Sequence, residues 1–225
     1  MIRYAIFDLD GTLLDTREGV ISAAIQTFKW NDIPIPDEGV LESLIGPPIQ
    51  SSFQTLFTLS NEESMKMANQ FREYYRSEKF LYKAELYDGI YDLLNTLKKS
   101  GIKVGVATYK REDYALKLLK EKGFDKITPY MYGSDFGGKM KKCEIIKKCL
   151  SDMGCLDVNE SVYIGDGDSD GGGATEVGMS FIAVTYGFGF KRESDALKYS
   201  PVGIASNCKD ILNIIDRINS PNTVQ

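Results

Sequence analysis

Short apolar runs that end in polar residues recur along the chain, and three of them share one pattern. They are residues 4–7, 104–107 and 162–164, followed at once by Asp, Thr and Gly-Asp. Runs of this length and apolarity are typical of parallel strands buried on both faces. Since open parallel sheets bind ligands at the carboxyl ends of their strands, each run predicts a strand whose end carries residues suited to a functional site.

Helical patterns separate these strands. Apolar residues at helical spacing predict helices over 112–122 and 142–153, and Gly123 and Gly154 follow them as C-terminal caps. We also predict strands over 130–132 and 181–184, a short helix over 192–198, and a helical turn softened by glycine after Asp170. The alternation predicts the α/β class, with a doubly wound, Rossmann-like parallel sheet and crossover helices.

The segment from residue 17 to residue 82 interrupts this alternation. Its pattern predicts four helices and no strand, over 18–30, 38–44, 49–59 and 62–80. Asn61 suits the N-terminal cap of the last helix, and prolines lie between the others. We therefore expect an α/β core made of residues 1–16 and 83–225, with an all-helical cap inserted over 17–82.

Composition narrows the class of protein. Of 225 residues, 43% are hydrophobic and 26% are charged, which suits a globular protein with a sizeable core. The net charge of −5 argues against a nucleic-acid polymer as partner, because such binding needs a basic face. With no signal peptide and no apolar run of about 18 residues, we expect a cytoplasmic protein without a membrane partner, monomeric or homodimeric. Only 220–225 are expected to be disordered.

Histidine is absent, and the four cysteines form no CxxC pair. Structural zinc is therefore not expected, and the cysteines are interpreted as reduced thiols of a cytosolic protein. The absence of histidine also excludes the Ser-His and Cys-His pairs of nucleophilic catalysis. Chemistry at a site in this chain must come from carboxylates, lysines and metal ions.

Two carboxylates, Asp8 and Asp10, follow the first predicted strand. If Asp8 continues the strand, its side chain faces the crevice at the end of the sheet. Asp10 lies in the loop, where it can reach a leaving group as an acid. Gly11 allows the chain to turn and lets backbone N–H groups approach an anion closely.

A second acidic group, Asp166, Asp168 and Asp170, follows the third predicted strand. The carboxyl ends of parallel strands meet at one edge of a sheet, so this group is expected to converge with Asp8. Carboxylates with retained waters are the ligands that Mg²⁺ prefers, and the cation would offset repulsion between Asp8, Asp166 and a phosphate. Asp168 is interpreted as a solvent-facing loop residue.

A hydroxyl and a cation complete the candidate chemistry. Thr108 ends the middle strand, and Lys139, Lys141 or Lys142 can supply a positive charge to a phosphate oxygen. We favour Lys142, because the amphipathic helix that begins there would hold it in place. The other two lysines are expected to be solvated.

Two further patterns are interpreted as structural. Residues 166–171 match the start of an EF-hand calcium loop, but Val177 occupies position twelve, where a bidentate Glu is required. A calcium sensor is therefore not expected. Lys110 and Arg111 are interpreted as surface charges at the start of a helix.

Taken together, the DxDGT sequence at 8–12, Thr108, Lys142 and the GDxxxD sequence at 165–170 resemble the four motifs of the haloacid dehalogenase superfamily of phosphohydrolases. The resemblance spans nearly the whole chain, and the helical insertion resembles that superfamily's small cap. Four shorter segments resemble its phosphoglycolate-phosphatase-like branch, which includes 5′-nucleotidase-like members. They lie at 45–48, 86–89, 107–110 and 186–189.

The resemblance implies a role for each matching residue. Asp8 would be the nucleophile and Asp10 the general acid and base. The implied phosphate-binding residues are Gly11, Thr108, Tyr109 and Lys142; the implied Mg²⁺ ligands are Asp8, Asp10 and Asp166, with Asp170 acting through a water or another ligand; and the implied substrate loop of the cap is Gly46, Pro47 and Pro48. The chain departs from the family's pattern at Tyr109, where relatives often have Ser.

The implied activity is Mg²⁺-dependent hydrolysis of a small phosphate monoester through an aspartyl-phosphate. Its partner would be a small phosphorylated metabolite or a nucleotide. Two alternatives stay open: a sugar-phosphate mutase of the same superfamily, which would use the same Asp8 and Asp10, and a non-catalytic phosphate- or metal-binding regulator. Because specificity depends on cap side chains, phosphoglycolate, nucleotides and pyrophosphate all remain candidate substrates.

Overall fold

The computed structural model describes residues 1–220, apart from the side chains of residues 78 and 79. Of the tail predicted to be disordered, residues 221–225 therefore lie outside the described residues. The strands are β1 (Tyr4–Phe7), β2 (Leu14–Asp15), β3 (Glu85–Leu86), β4 (Lys103–Arg111), β5 (Met131–Ser134), β6 (Ser161–Gly165), β7 (Ser180–Val184) and β8 (Gly203–Ala205). The helices are α1 (Arg17–Trp30), α2 (Glu38–Glu42), α3 (Ile49–Phe57), α4 (Asn61–Arg76), α5 (Glu78–Leu81), α6 (Ile90–Lys99), α7 (Glu112–Glu121), α8 (Lys142–Asp152), α9 (Asp168–Val177), α10 (Glu193–Ala196) and α11 (Cys208–Asn219). Within residues 1–220, no helix is both long and apolar enough to cross a membrane.

Six strands form one parallel sheet in the order β5-β4-β1-β6-β7-β8. The strand β1 lies between β4 and β6, with Tyr4 opposite Lys103 and Ser161. Its sequence has no charged side chain, and all four of its residues are buried. The predicted doubly wound parallel sheet is confirmed.

Helices cover both faces of this sheet because alternate residues of its strands point to opposite sides. On one face, Phe7 packs in a cluster that includes Leu93 of α6 and Leu118 of α7. On the other face, Ile6 packs in a cluster that includes Ile145 of α8. The two clusters fix the sheet between helix layers and hold the ends of β1, β4 and β6 at one edge.

Helix α9 is a full ten-residue helix, where the sequence predicted only a softened turn. Its glycines allow close packing rather than flexibility. A Cβ atom at Gly171 would lie 2.3 Å from the ring of Tyr199, and one at Gly173 would lie 2.8 Å from Cγ of Lys142. Gly171 therefore makes room for Tyr199, and Gly173 lets α9 approach α8, the helix that carries Lys142.

Several boundaries differ from prediction. The cap of α4 is Ser60, not Asn61: its hydroxyl accepts the N–H of Glu63, whose carboxylate accepts the N–H of Ser60 at 2.9 Å. The helix expected to reach residue 80 breaks at Ser77, and α5 follows. The strand β4 continues to Arg111 instead of ending at Thr108. Neither β8 nor α11 was predicted.

Helices α1 to α5 form an all-helical insertion between β2 and β3. These two strands pair antiparallel, with Asp15 opposite Glu85, so the insertion leaves and rejoins the chain at one ribbon. Edge-to-face aromatic contacts join its helices, with ring centroids 5.8 Å apart for Phe28 and Phe53 and 6.2 Å apart for Phe53 and Phe71. The division into a core of 1–16 and 83–225 and a cap of 17–82 stays a prediction.

Candidate active site

Asp8 directly follows β1 at the centre of the sheet. Its backbone N–H donates to the carbonyl of Ile164 in β6 at 2.9 Å, which continues the strand pairing by one residue. The residue is only 4% exposed. The Asp8 carboxylate therefore lies inside the protein, at the carboxyl edge where β1 and β6 end.

Lys142, the first residue of α8, brings a positive charge to this carboxylate. Its ammonium lies 2.5 Å from Oδ1 of Asp8 and 2.9 Å from Oδ1 of Asp170. Burial acts to lower the pKa of Lys142, but the carboxylates of Asp170 and Asp8 raise it above its ordinary value. Lys139 and Lys141 are exposed, as predicted. Of the three candidate lysines, the structure places Lys142 at the site.

Three buried carboxylates converge beside it. Oxygens of Asp8, Asp166 and Asp170 all lie within 4.8 Å of one another. Burial raises the pKa of Asp8 to about 7 and that of Asp166 to about 8, and repulsion within the cluster adds to both shifts. Three carboxylates facing one lysine form a donor set that fits a divalent cation, whose charge would offset this repulsion.

Asp166 is fixed by backbone groups from a distant loop. Its Oδ2 accepts the N–H of Phe188 at 2.6 Å and the N–H of Gly189 at 3.0 Å. A Cβ atom at Gly11 would lie 2.2 Å from this oxygen, and one at Gly187 would lie 2.4 Å from it. Both glycines therefore make room for the Asp166 carboxylate. Gly11 has a φ of +84°, and its own N–H donates to Leu14 within the turn, so that N–H is not free for an anion.

The Asp10 carboxylate, expected as a metal ligand, is not one of the three that converge. Its Oδ1 accepts the hydroxyl of Thr16 at 2.6 Å and the ammonium of Lys110 at 2.8 Å. Its other oxygen has no donor among the described residues. Asp10 and Asp8, two residues apart, thus have different hydrogen-bond and ion-pair partners.

The interpretation of Lys110 as a surface charge is wrong. Its side chain is 7% exposed, and its ammonium lies 4.8 Å from the centre of the Tyr75 ring as well as against Asp10. Burial acts to lower the pKa of Lys110, but Asp10 raises it above its ordinary value. Because β4 extends past Thr108, the side chain of Lys110 lies on the same face of the strand as that of Thr108. A prediction that the strand continues through residues 108–111 would have placed Lys110 at this site.

Arg111 is half-buried rather than a simple surface charge. Its guanidinium donates to both oxygens of Asp113, at 2.6 and 2.9 Å. Its carbon lies 4.0 Å from the centre of the Tyr114 ring and 4.8 Å from that of Phe136. Arg111 is therefore held in one orientation at the end of β4.

Thr108 and Tyr109 directly precede Lys110 in β4. Thr108 is 1% exposed, and its hydroxyl accepts the N–H of Lys110 at 3.2 Å. The Tyr109 hydroxyl accepts the N–H of Lys142 at 2.9 Å, and its ring lies 5.4 Å from the Lys142 ammonium. Tyr109 thus orients the first turn of α8, which sequence reasoning had not anticipated.

Two cavities meet at the loop before α3. One is lined by Asp8, Lys142 and the acidic segment from the end of β6 to the first turn of α9, and the other by Asp10, Lys110 and the end of β4. Gly46 and Pro47 border both cavities, whereas Pro48 borders only the second. Asp168 lies at the rim of the first cavity, exposed and 2.9 Å from Lys198, as expected of a solvent-facing residue.

The sequence and fold match known proteins over most of their length. A 5′-nucleotidase of Pseudomonas aeruginosa is 34% identical over 189 residues, which cover 84% of this chain and 85% of that protein. A pyrophosphatase PpaX of Halalkalibacterium halodurans is 28% identical over 219 residues, covering 95% and 97%. A solved structure of a predicted phosphatase from Clostridium acetobutylicum superposes with a TM-score of 0.89 at 27% identity, covering 96% and 99%.

A family-level comparison agrees with these relatives. The sequence model of the haloacid dehalogenase-like hydrolases matches residues 5–184, a range that includes Asp8, Asp10, Lys142 and Asp166. The buried carboxylates, the paired lysine and the inserted helices all lie within it. The chain belongs to the haloacid dehalogenase-like hydrolase family.

Proposed function

We propose that this chain is a Mg²⁺-dependent phosphatase that hydrolyses a small phosphate monoester through an aspartyl-phosphate on Asp8. The observation that carries the proposal is the placement of Asp8 in a buried cluster with Lys142, Asp166 and Asp170 at the end of β1. The relatives named as a nucleotidase and a pyrophosphatase support phosphate chemistry on this fold.

In this proposal, Asp8 attacks phosphorus in line and the ester oxygen leaves. Asp10 enters the step with a proton on its free carboxylate oxygen and donates it to the ester oxygen; it then takes a proton from the water that cleaves the aspartyl-phosphate, which restores its starting state. Lys142 and the Thr108 hydroxyl bind phosphoryl oxygens and stabilise the charge that develops on them. Tyr109 holds Lys142 in position through its hydrogen bond to the backbone.

A bound Mg²⁺ would neutralise charge between the carboxylates and the phosphoryl group. Asp8, Asp166 and Asp170 would hold it, because their oxygens converge and outnumber the one ammonium beside them. The helical insertion, over 17–82, would serve as a cap that excludes bulk water and contacts the leaving group through Gly46, Pro47 and Pro48.

A phosphate-release assay tests this function. The purified chain with Mg²⁺ should release inorganic phosphate from a panel of small esters without a bisphosphate activator. A requirement for such an activator, with phosphate moved within a sugar, would favour the mutase instead. Tight binding of phosphate without release from any ester would favour a regulator.

A further inference from the structure

The cavity beside Asp10 has a strongly cationic wall. It lies between the helical insertion and the ends of β4 and β5, and its lining includes Lys110 and Arg111 from β4 and Arg72 from α4. Lys110 is paired with Asp10 and Arg111 with Asp113. Arg72 is the third positive charge on this wall.

Arg72 is half-buried and makes no ion pair with a carboxylate of the described residues. Its guanidinium donates to two neutral oxygens, Oε1 of Gln50 at 2.7 Å and Oδ1 of Asn69 at 2.9 Å. Burial and the nearby Arg111 charge lower the pKa of Arg72. A cation that is partly removed from water and has only neutral partners is held at a cost, which an anion in the cavity would offset.

The acidic residue at the same wall does not supply that anion. Asp135 lines the cavity, but its carboxylate accepts N–H groups of its own loop, from Gly137 at 3.2 Å, Lys139 at 2.8 Å and Met140 at 2.9 Å. Its charge is therefore directed into the loop that follows β5. Asp135 orders this wall and leaves Arg72 without a counter-charge.

The cavity is small. Its volume is about 80 Å³, which is room for a few water molecules. A Cβ atom at Gly138 would lie 2.1 Å from Nε2 of Gln50, so the loop after β5 packs directly against α3. A second phosphoryl group or a short carboxylic acid fits such a volume, whereas a nucleoside does not.

From these observations we infer that the cavity binds a compact leaving group that carries its own anion, with Arg72 as its binding residue. Since Asp10 lines the same cavity, the anion would lie on the leaving-group side of the scissile bond. The inference rests on the proposed phosphatase function and specifies its substrate class. That class comprises inorganic pyrophosphate and phosphate esters of short hydroxy acids, and it excludes nucleoside monophosphates.

The test compares substrates in matched variants. We would measure kcat/KM for inorganic pyrophosphate, 2-phosphoglycolate, adenosine 5′-monophosphate and p-nitrophenyl phosphate in the wild type, in Arg72→Met and in Arg72→Lys. The control is Arg76→Met, an exposed arginine one turn further along α4. The wild type should prefer pyrophosphate or 2-phosphoglycolate, and which of the two is faster identifies the source of the anion.

In Arg72→Met, kcat/KM for the preferred substrate should fall by about 10- to 100-fold relative to p-nitrophenyl phosphate, because a charge-assisted contact is lost. Arg72→Lys should recover part of this loss, and Arg76→Met should match the wild type. An equal fall for all substrates, or a wild-type preference for the nucleotide, would overturn the inference while leaving the phosphatase function intact. If the wild type releases phosphate from none of the four, the proposed function itself is wrong, and the inference with it.

Discussion

The two cavities on either side of the Gly46-Pro47 loop have opposite charge. On the Asp8 side, three carboxylates converge around one ammonium. On the Arg72 side, lysine and arginine side chains outnumber the carboxylates that pair with them. The first cavity suits a metal ion and a phosphoryl group, and the second suits an anionic leaving group. In the proposed function, the reaction and its selectivity would therefore depend on different parts of the chain.

The largest effect should come from removing the nucleophile on the acidic side. Asp8→Asn should lower kcat by at least about 1000-fold, because an amide is a poor nucleophile and a weaker metal ligand. Phosphate release under saturating ester measures it. The matched control is Asp168→Asn, which changes an exposed carboxylate at the start of α9 and should keep wild-type activity. More than a few per cent of wild-type activity in Asp8→Asn would refute the assignment.

Removal of the metal tests the acidic cavity at Asp8 without a mutation. EDTA should stop phosphate release, and Mg²⁺ should restore it. Ca²⁺ should not, since its larger and looser coordination disfavours the in-line geometry. Comparable rates in Ca²⁺ would contradict the expected selectivity for Mg²⁺. Full activity in EDTA would show that the reaction needs no metal.

A smaller effect is expected at the boundary between the cavities. Lys110→Met should lower kcat by about 10- to 100-fold for esters with poor leaving groups, because the ammonium holds Asp10 in place for proton transfer. The fall should be much smaller for p-nitrophenyl phosphate, whose leaving group needs little protonation. Lys139→Met, an exposed lysine nearby, is the control. An equal loss on both esters would show that Lys110 acts through general stability instead.

Lys110 also shows which features of the site could not be predicted from the sequence. The carboxylates of Asp8 and Asp166 could be placed from sequence because each directly follows a short apolar strand, and strand ends converge by topology. Lys110 and Arg72 could not, because their positions depend on how far β4 extends and on how α4 packs against it. The same limit explains Ser60, since one residue decides which side chain caps a helix. By contrast, the sequence does mark α11, with Asn207 as its cap and apolar residues at helical spacing.

The smallest effect should appear in stability rather than activity. In the unfolded chain Asp8 and Asp166 would titrate near 3.8, whereas in the folded, metal-free protein their pKa values are about 7 and about 8. Between these limits the folded state holds more protons, so the free energy of unfolding falls as pH rises. Without metal, Tm should drop by about 5 °C or more from about pH 5.5 to about pH 8.5.

Added Mg²⁺ should flatten this slope, because the cation takes the place of the protons that relieve repulsion in the cluster. Asp8→Asn should also reduce it, since one of the two titrating groups is gone. A metal-free Tm that is constant or rises over this range would mean that the two carboxylates are not buried together as described.

The most direct test of the account is to locate the phosphoryl group during turnover. Asp10→Asn should still transfer phosphate from p-nitrophenyl phosphate, whose leaving group needs no acid, but should hydrolyse the aspartyl-phosphate slowly because it lacks the base. Acid quenching followed by mass spectrometry of the peptides should then find the phosphoryl group on Asp8. A phosphoryl group on another residue, or release of p-nitrophenol and phosphate together with no covalent species at any quench time, would contradict the account.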